Sequence, residues 1–118
     1  MDERVLRLRL VLRPGAVLGP GKIDLLEAIA ETGSIRAAGG RFQMSYRRAW
    51  ELVAELNGMF SAPLVIAEAG GRGGGGATLT PLGFSVVKRF RDIEVKADCA
   101  VDSEFRSLAA DLKDMSLG

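Results

Sequence analysis

At 118 residues with 47% hydrophobic content, the chain is long enough for one compact core and too short for two ordinary domains. It has no histidine and a single cysteine, Cys99, which removes imidazole-based triads, the commonest general base and metal ligand, and any intramolecular disulfide or multi-cysteine metal site. The net charge of +1 is segregated: residues 1–91 carry 13 basic against 8 acidic side chains, and residues 92–118 carry 3 against 7.

From residue 4 to 13, Leu6, Leu8, Leu10 and Leu12 alternate with Arg7, Arg9 and other polar or valine positions, the period-two pattern of a strand with one buried face. Pro14-Gly15 and Gly19-Pro20-Gly21 break the chain, after which Ile23, Leu26, Ile29 and Ala30 recur at helical spacing until Gly33. Ser34 is a suitable N-cap for a short second helix with Ile35, Ala38 and Phe42 on one face. Gly39-Gly40 within it costs about 1 kcal/mol per glycine relative to alanine, so this helix is expected to be short. Gln43-Met44 makes a tight connection, and Ser45 caps a third helix with Ala49, Leu52, Val53 and Leu56 on its core face, ending at Asn57-Gly58.

Two helices joined by about three residues, the second opening on basic residues, form a helix-turn-helix. At 100° per residue Arg47 lies almost opposite the apolar face, with Arg48 on one flank and Tyr46 and Trp50 on the other. Residues 33–50 hold four arginines, including Arg36, and no acid; residues 69–91 hold Arg72, Lys88, Arg89 and Arg91, again with no acid. Such stretches suit a polyanion, though charge alone reads equally as a solvated positive face.

Residues 64–68 and 77–80 read as two strands separated by a loop with six glycines and Arg72. That is a wing-like hairpin whose backbone can approach another molecule closely. The leucine-rich N-terminal strand is expected to join it as a third member of one small sheet. Thr80-Pro81 opens a terminal helix. Val86, Phe90, Ile93, Ala97, Val101, Phe105, Leu108, Leu112 and Met115 follow at steps of three and four, a near-heptad seam. A helix of about 30 residues spans roughly 45 Å, more than one small domain covers, so its distal part is expected to pair with a second copy; the alternative is a helix folded back on its own domain.

The stretches Gly33-Ser34-Ile35, Met44-Ser45-Tyr46-Arg47-Arg48-Ala49-Trp50, Pro63-Leu64-Val65 and the glycine-rich run from Gly70 to Ala77 leading to Leu79-Thr80 and Gly83 resemble the DNA-binding domain of the ModE family of molybdate-responsive regulators. Related winged domains occur in the LysR group. The likeness runs from about residue 4 to 95. It implies a mainly α fold with a small β-sheet: a winged helix-turn-helix over residues 1–80 and a long C-terminal dimerisation helix over 81–118. It also implies a double-stranded DNA partner, with Ser45, Tyr46, Arg47 and Arg48 opening the recognition helix, Arg72 and Gly73 in the wing, and Ser34 and Thr80 at phosphate. Arg36 joins this set from the acid-free stretch. Ser34, Ser45 and Thr80 read equally as caps alone, and Trp50 reads as a packing residue before a base contact.

The expectation is therefore a non-enzymatic, sequence-specific DNA-binding transcription regulator, a repressor by family analogy, acting as a homodimer without cofactor or metal. The alternative is a winged-helix adaptor that binds protein. A phosphate-cradling loop is disfavoured because the glycines lead into Ala77-Thr78-Leu79 with no Gly-Lys-Ser/Thr. No apolar run approaches the roughly 18 residues of a membrane span, and the N-terminus has no leader pattern, so a soluble cytoplasmic protein is expected. Family members carry C-terminal molybdate-binding domains for which 118 residues leave no room. A molybdate response is thus expected to come from a separate molybdate-sensing protein or to be absent.

Overall fold

A computed structural model describes residues 4–68 and 75–114. The elements are β1 (Leu10–Arg13), β2 (Ala16–Leu18), α1 (Pro20–Thr32), α2 (Ile35–Gly40), α3 (Tyr46–Met59), β3 (Val65–Ala67), β4 (Ala77–Leu79), α4 (Pro81–Ala100) and α5 (Asp102–Ala110). The core gathers Ile23, Leu25, Leu26 and Ile29 of α1, Leu56 of α3, Leu64 before β3 and Phe90 of α4, all essentially without solvent contact. Because α1 is surrounded by α2, α3, β4 and α4, it buries Leu25 and Ala28 as well as the residues of a single stripe, whereas Ala30 faces outward.

The N-terminal strand does not join the wing. It is shorter than the alternation predicts, and it pairs antiparallel with β2 in a sheet separate from β3–β4. The turn that reads as a chain break closes this hairpin. Pro14 supplies a fixed φ and Gly15 sits at φ +85°, the pairing of residues a type II turn needs. A bulge between Val11 and Arg13 breaks the register and leaves Leu12 exposed, although Leu6, Leu8 and Leu10 keep their half-buried alternation.

The helix-turn-helix depends on a glycine that propensity alone counts as a defect. A Cβ on Gly39 would lie 2.9 Å from the Ala49 Cβ, so the bare backbone of α2 is what lets α3 cross it closely. Phe42 falls beyond α2 and is exposed rather than on a core face. Gln43 turns the chain at φ +58°. Helix α3 runs on to Met59, just past its expected end, and within its last turn the Asn57 side chain accepts from the Leu64 and Val65 N–H groups at 2.9 and 3.0 Å and donates to the Val65 carbonyl at 3.1 Å, fixing the base of the wing.

The C-terminal helix is interrupted. Val101, at φ −105°, ψ 11°, separates α4 from α5, and a residue from the other end of the chain is bonded at this break. The Arg4 guanidinium donates to the Asp98 carbonyl at 3.2 Å, to the Asp98 carboxylate at 3.0 Å and to Asp102, while lying 4.8 Å over the Phe105 ring. A side chain inserted at a helix carbonyl is a recognised cause of a kink. The Arg4 hydrogen bond also holds the Asp102 carboxyl below its usual range, so this contact is lost only as pH falls through that lowered value. Arg91 fastens α4 to α1, donating to Asp24 at 2.7 Å and Glu27 at 2.6 Å, and to Glu94 at 2.8 Å. Cys99 is exposed.

Candidate nucleic-acid interface

Ser45 and Ser34 are the N-caps of α3 and α2. Their hydroxyl oxygens accept from the Arg48 and Ala37 N–H groups at 3.0 and 3.1 Å. Each hydroxyl keeps a proton that can be donated to a phosphate oxygen beside the exposed N–H groups of the first turn. Thr80 is placed differently. It accepts from Gly83 N–H at 3.0 Å and donates to the Pro63 carbonyl at 2.7 Å, so of its two expected roles the geometry supplies the cap.

The helix wheel is realised. Arg47 is exposed on the side of α3 opposite buried Ala49, Leu52, Val53 and Leu56, and neither Arg47 nor Arg36 has an ion-pair partner among the described residues. Arg36 lies 4.1 Å over the Tyr46 ring, and Tyr46 meets Trp50 edge-on at 6.1 Å. A cation-aromatic ladder therefore runs from α2 along one flank of α3. Trp50, read as a packing residue, is 39% exposed and belongs to this outer cluster. Arg48 leans to the opposite flank, 3.9 Å from Glu51. Arg41 is drawn away by Glu31 of α1 at 2.8 Å.

The wing strands pair Val65 with Leu79, Ile66 with Thr78 and Ala67 with Ala77. Ala77 N–H donates to the Gly33 carbonyl at 2.9 Å, docking β4 on the turn between α1 and α2. Arg72 and Gly73, expected at the wing tip, lie outside the described residues. The second acid-free stretch is not a continuous positive surface: Lys88 pairs with Asp92 at 2.8 Å and Arg91 with three carboxylates. Chain order hid this, because Asp24 and Glu27 come from α1. Among the described residues no cluster could hold a metal ion, and no helix is long and apolar enough to cross a membrane.

The sequence pattern of bacterial regulatory helix-turn-helix proteins of the lysR family matches residues 21–84. Over 110 residues the chain is 39% identical to the molybdenum-pterin-binding protein MopB of Rhodobacter capsulatus, a match covering 93% of this chain and 41% of that protein. It is 38% identical to the molybdenum transport protein ModE of Azotobacter vinelandii, covering 81% and 36%. It is 36% identical to the DNA-binding transcriptional dual regulator ModE of Escherichia coli K12, covering 70% and 32%. The chain thus spans well under half the length of these relatives. Its fold matches the DNA-binding domain of CbnR, solved as a complex with DNA, with a TM-score of 0.53 and 27% identity over 76% of this chain and 94% of that one.

Proposed function

The chain belongs to the lysR family of bacterial regulatory helix-turn-helix proteins, and from that premise we propose that it is a sequence-specific, double-stranded-DNA-binding transcription regulator of the ModE type. One observation carries the reading. The face of α3 turned from the core presents Arg47, which has no acidic partner among the described residues, and the N-caps of α2 and α3 carry hydroxyls that retain a donor proton. Arg47 would read base edges in the major groove, while Ser34, Ser45 and the wing arginine Arg72 would hold phosphates. Arg36, Tyr46 and Arg48 would flank the read positions, and Gly73 would let the wing backbone approach the duplex. Its default action would be repression, by occupying duplex that polymerase needs. Fluorescence anisotropy of labelled duplexes across a salt series tests this. Specific binding whose affinity falls steeply with salt is expected, and no binding to any duplex would leave the protein-binding adaptor.

We also propose that two copies pair through α4 and α5, residues 81–118 forming the dimerisation element. The apolar seam divides in two: Val86 and Phe90 seal the domain's own core, whereas Ile93, Leu108 and Leu112 are exposed. A dimer would set two recognition helices about 34 Å apart to match an inverted repeat. Sedimentation should show a dimer at micromolar concentration that Leu108→Glu with Leu112→Glu converts to a monomer. A wild-type monomer both with and without DNA would overturn the pairing.

On this reading residues 1–118 do not themselves sense molybdate: a molybdate response would come from a separate molybdate-sensing protein or be absent. Calorimetric titration of molybdate into the purified chain should show no saturation at micromolar concentration. Saturable binding that excess sulfate leaves intact would instead place a sensor within the chain.

A further inference from the structure

Helix α3 has two flanks, and the wing occupies one of them. Asn57, which ties α3 to β3, is nine residues from Arg48, and at about 100° per residue the two project from opposite sides of the helix. The Arg48 side is not bare. There α3, the start of α1 and the β1–β2 hairpin enclose an open groove of about 850 Å³ lined by Arg9, Val17, Lys22, Arg48, Glu55 and Met59 among others. Its walls are bonded together: the Lys22 ammonium donates to the Val17 carbonyl at 2.9 Å and pairs with Glu55 at 3.3 Å.

The charge balance of this groove is one-sided. Lys22 and Glu55 cancel each other. Arg9 has no ion-pair partner among the described residues, and Arg48 has only Glu51 at 3.9 Å. Arg7 is exposed two residues before Arg9 on the same side of the extended chain, while Leu6, Leu8 and Leu10 turn inward. Arg7 and Arg9 therefore stand two residues apart on the same exposed side of the chain, where both can reach phosphates of one DNA strand.

We propose that the β1–β2 hairpin and the segment leading into it form a second backbone clamp, in which Arg7, Arg9 and Arg48 hold the phosphate strand on the side of α3 opposite the wing. The occupant is the same duplex that α3 reads, because Arg48 belongs both to the reading helix and to the groove and the surplus charge is positive. This assignment rests on the DNA-binding reading and enlarges it: one domain grips its duplex from both sides of the recognition helix.

The test is the double variant Arg7→Ala with Arg9→Ala, measured on duplexes that the wild-type protein selects from a randomised pool. The salt slope should flatten by about two units, with affinity about tenfold lower at moderate salt for all sequences alike and their ranking unchanged. Arg7→Lys with Arg9→Lys should restore the slope. Because both side chains are exposed, the melting temperature should not move. An unchanged slope in a wild-type background that binds DNA specifically would overturn the clamp and leave the DNA reading standing, whereas a wild-type protein that selects no duplex would remove both. A double variant that sediments as a monomer where the wild type is a dimer would reassign the arginines to the contact between copies and overturn the clamp.

Discussion

Gly83→Ala is expected to destabilise the protein by about 3 kcal/mol, at the upper end for an overpacked core site. Gly83 lies in the first turn of α4 and is buried. A Cβ there would stand 2.3 Å from the Leu64 carbonyl oxygen and 3.2 Å from its carbon. Those atoms are backbone and cannot swing aside. Leu64 is fully buried, its carbonyl accepts from Thr80 N–H at 2.9 Å, and the Thr80 hydroxyl holds the neighbouring Pro63 carbonyl. To admit one methyl group, α4 must separate from the Leu64 backbone that leads into β3, opening these bonds and the packing of Val86 and Phe90 beneath. The thermal midpoint should fall by about 12–24 °C, at roughly 4–8 °C per kcal/mol for a domain near this size. A circular-dichroism melt within a few degrees of wild type would show that the approach is looser than the geometry requires.

Arg47→Ala should abolish discrimination at one or two base positions, at a cost of about 1–3 kcal/mol for the preferred sequence and little for others. Arg47 is the exposed arginine of α3 directed away from the core, without an ion pair among the described residues, so removing it should leave stability unchanged. Arg72→Ala should act in the opposite manner. Its charge lies in the glycine-rich run of the chain, where a phosphate contact is expected, so every sequence should weaken alike and the salt slope should flatten by about one unit. Binding of a systematic set of single-base variants separates the two effects. If Arg47→Ala lowered affinity equally for every member, the residue would belong with the phosphate contacts.

Much of this site could be read from the sequence because its determinants are local. A serine before an apolar-periodic run is an N-cap whatever surrounds it, and Ser34 and Ser45 both cap as expected. Helical periodicity likewise fixes which way Arg47 points once Ala49, Leu52, Val53 and Leu56 are assigned to the core. The wing strands follow from the residues that flank the glycines.

What chain order could not supply was partnership between distant segments. Alternating leucines identify an extended segment but not its neighbour, and the short run Ala16–Leu18 carries too few residues to declare itself as the strand that pairs with β1. The seam of α4 reads as continuous, yet the helix is interrupted at Val101, where Arg4, more than 90 residues earlier, donates to the Asp98 carbonyl. Counting charges along residues 69–91 suggested a positive stripe, but Asp24 and Glu27 arrive from α1 to neutralise Arg91. Gly39 counts against a helix by propensity and becomes necessary only when Ala49 is brought against it. Local capping and periodicity depend on residues within a few positions of one another and so are written in the sequence. Strand partners, ion-pair networks and close backbone crossings depend on which segments the core brings together, and that is decided by the tertiary fold.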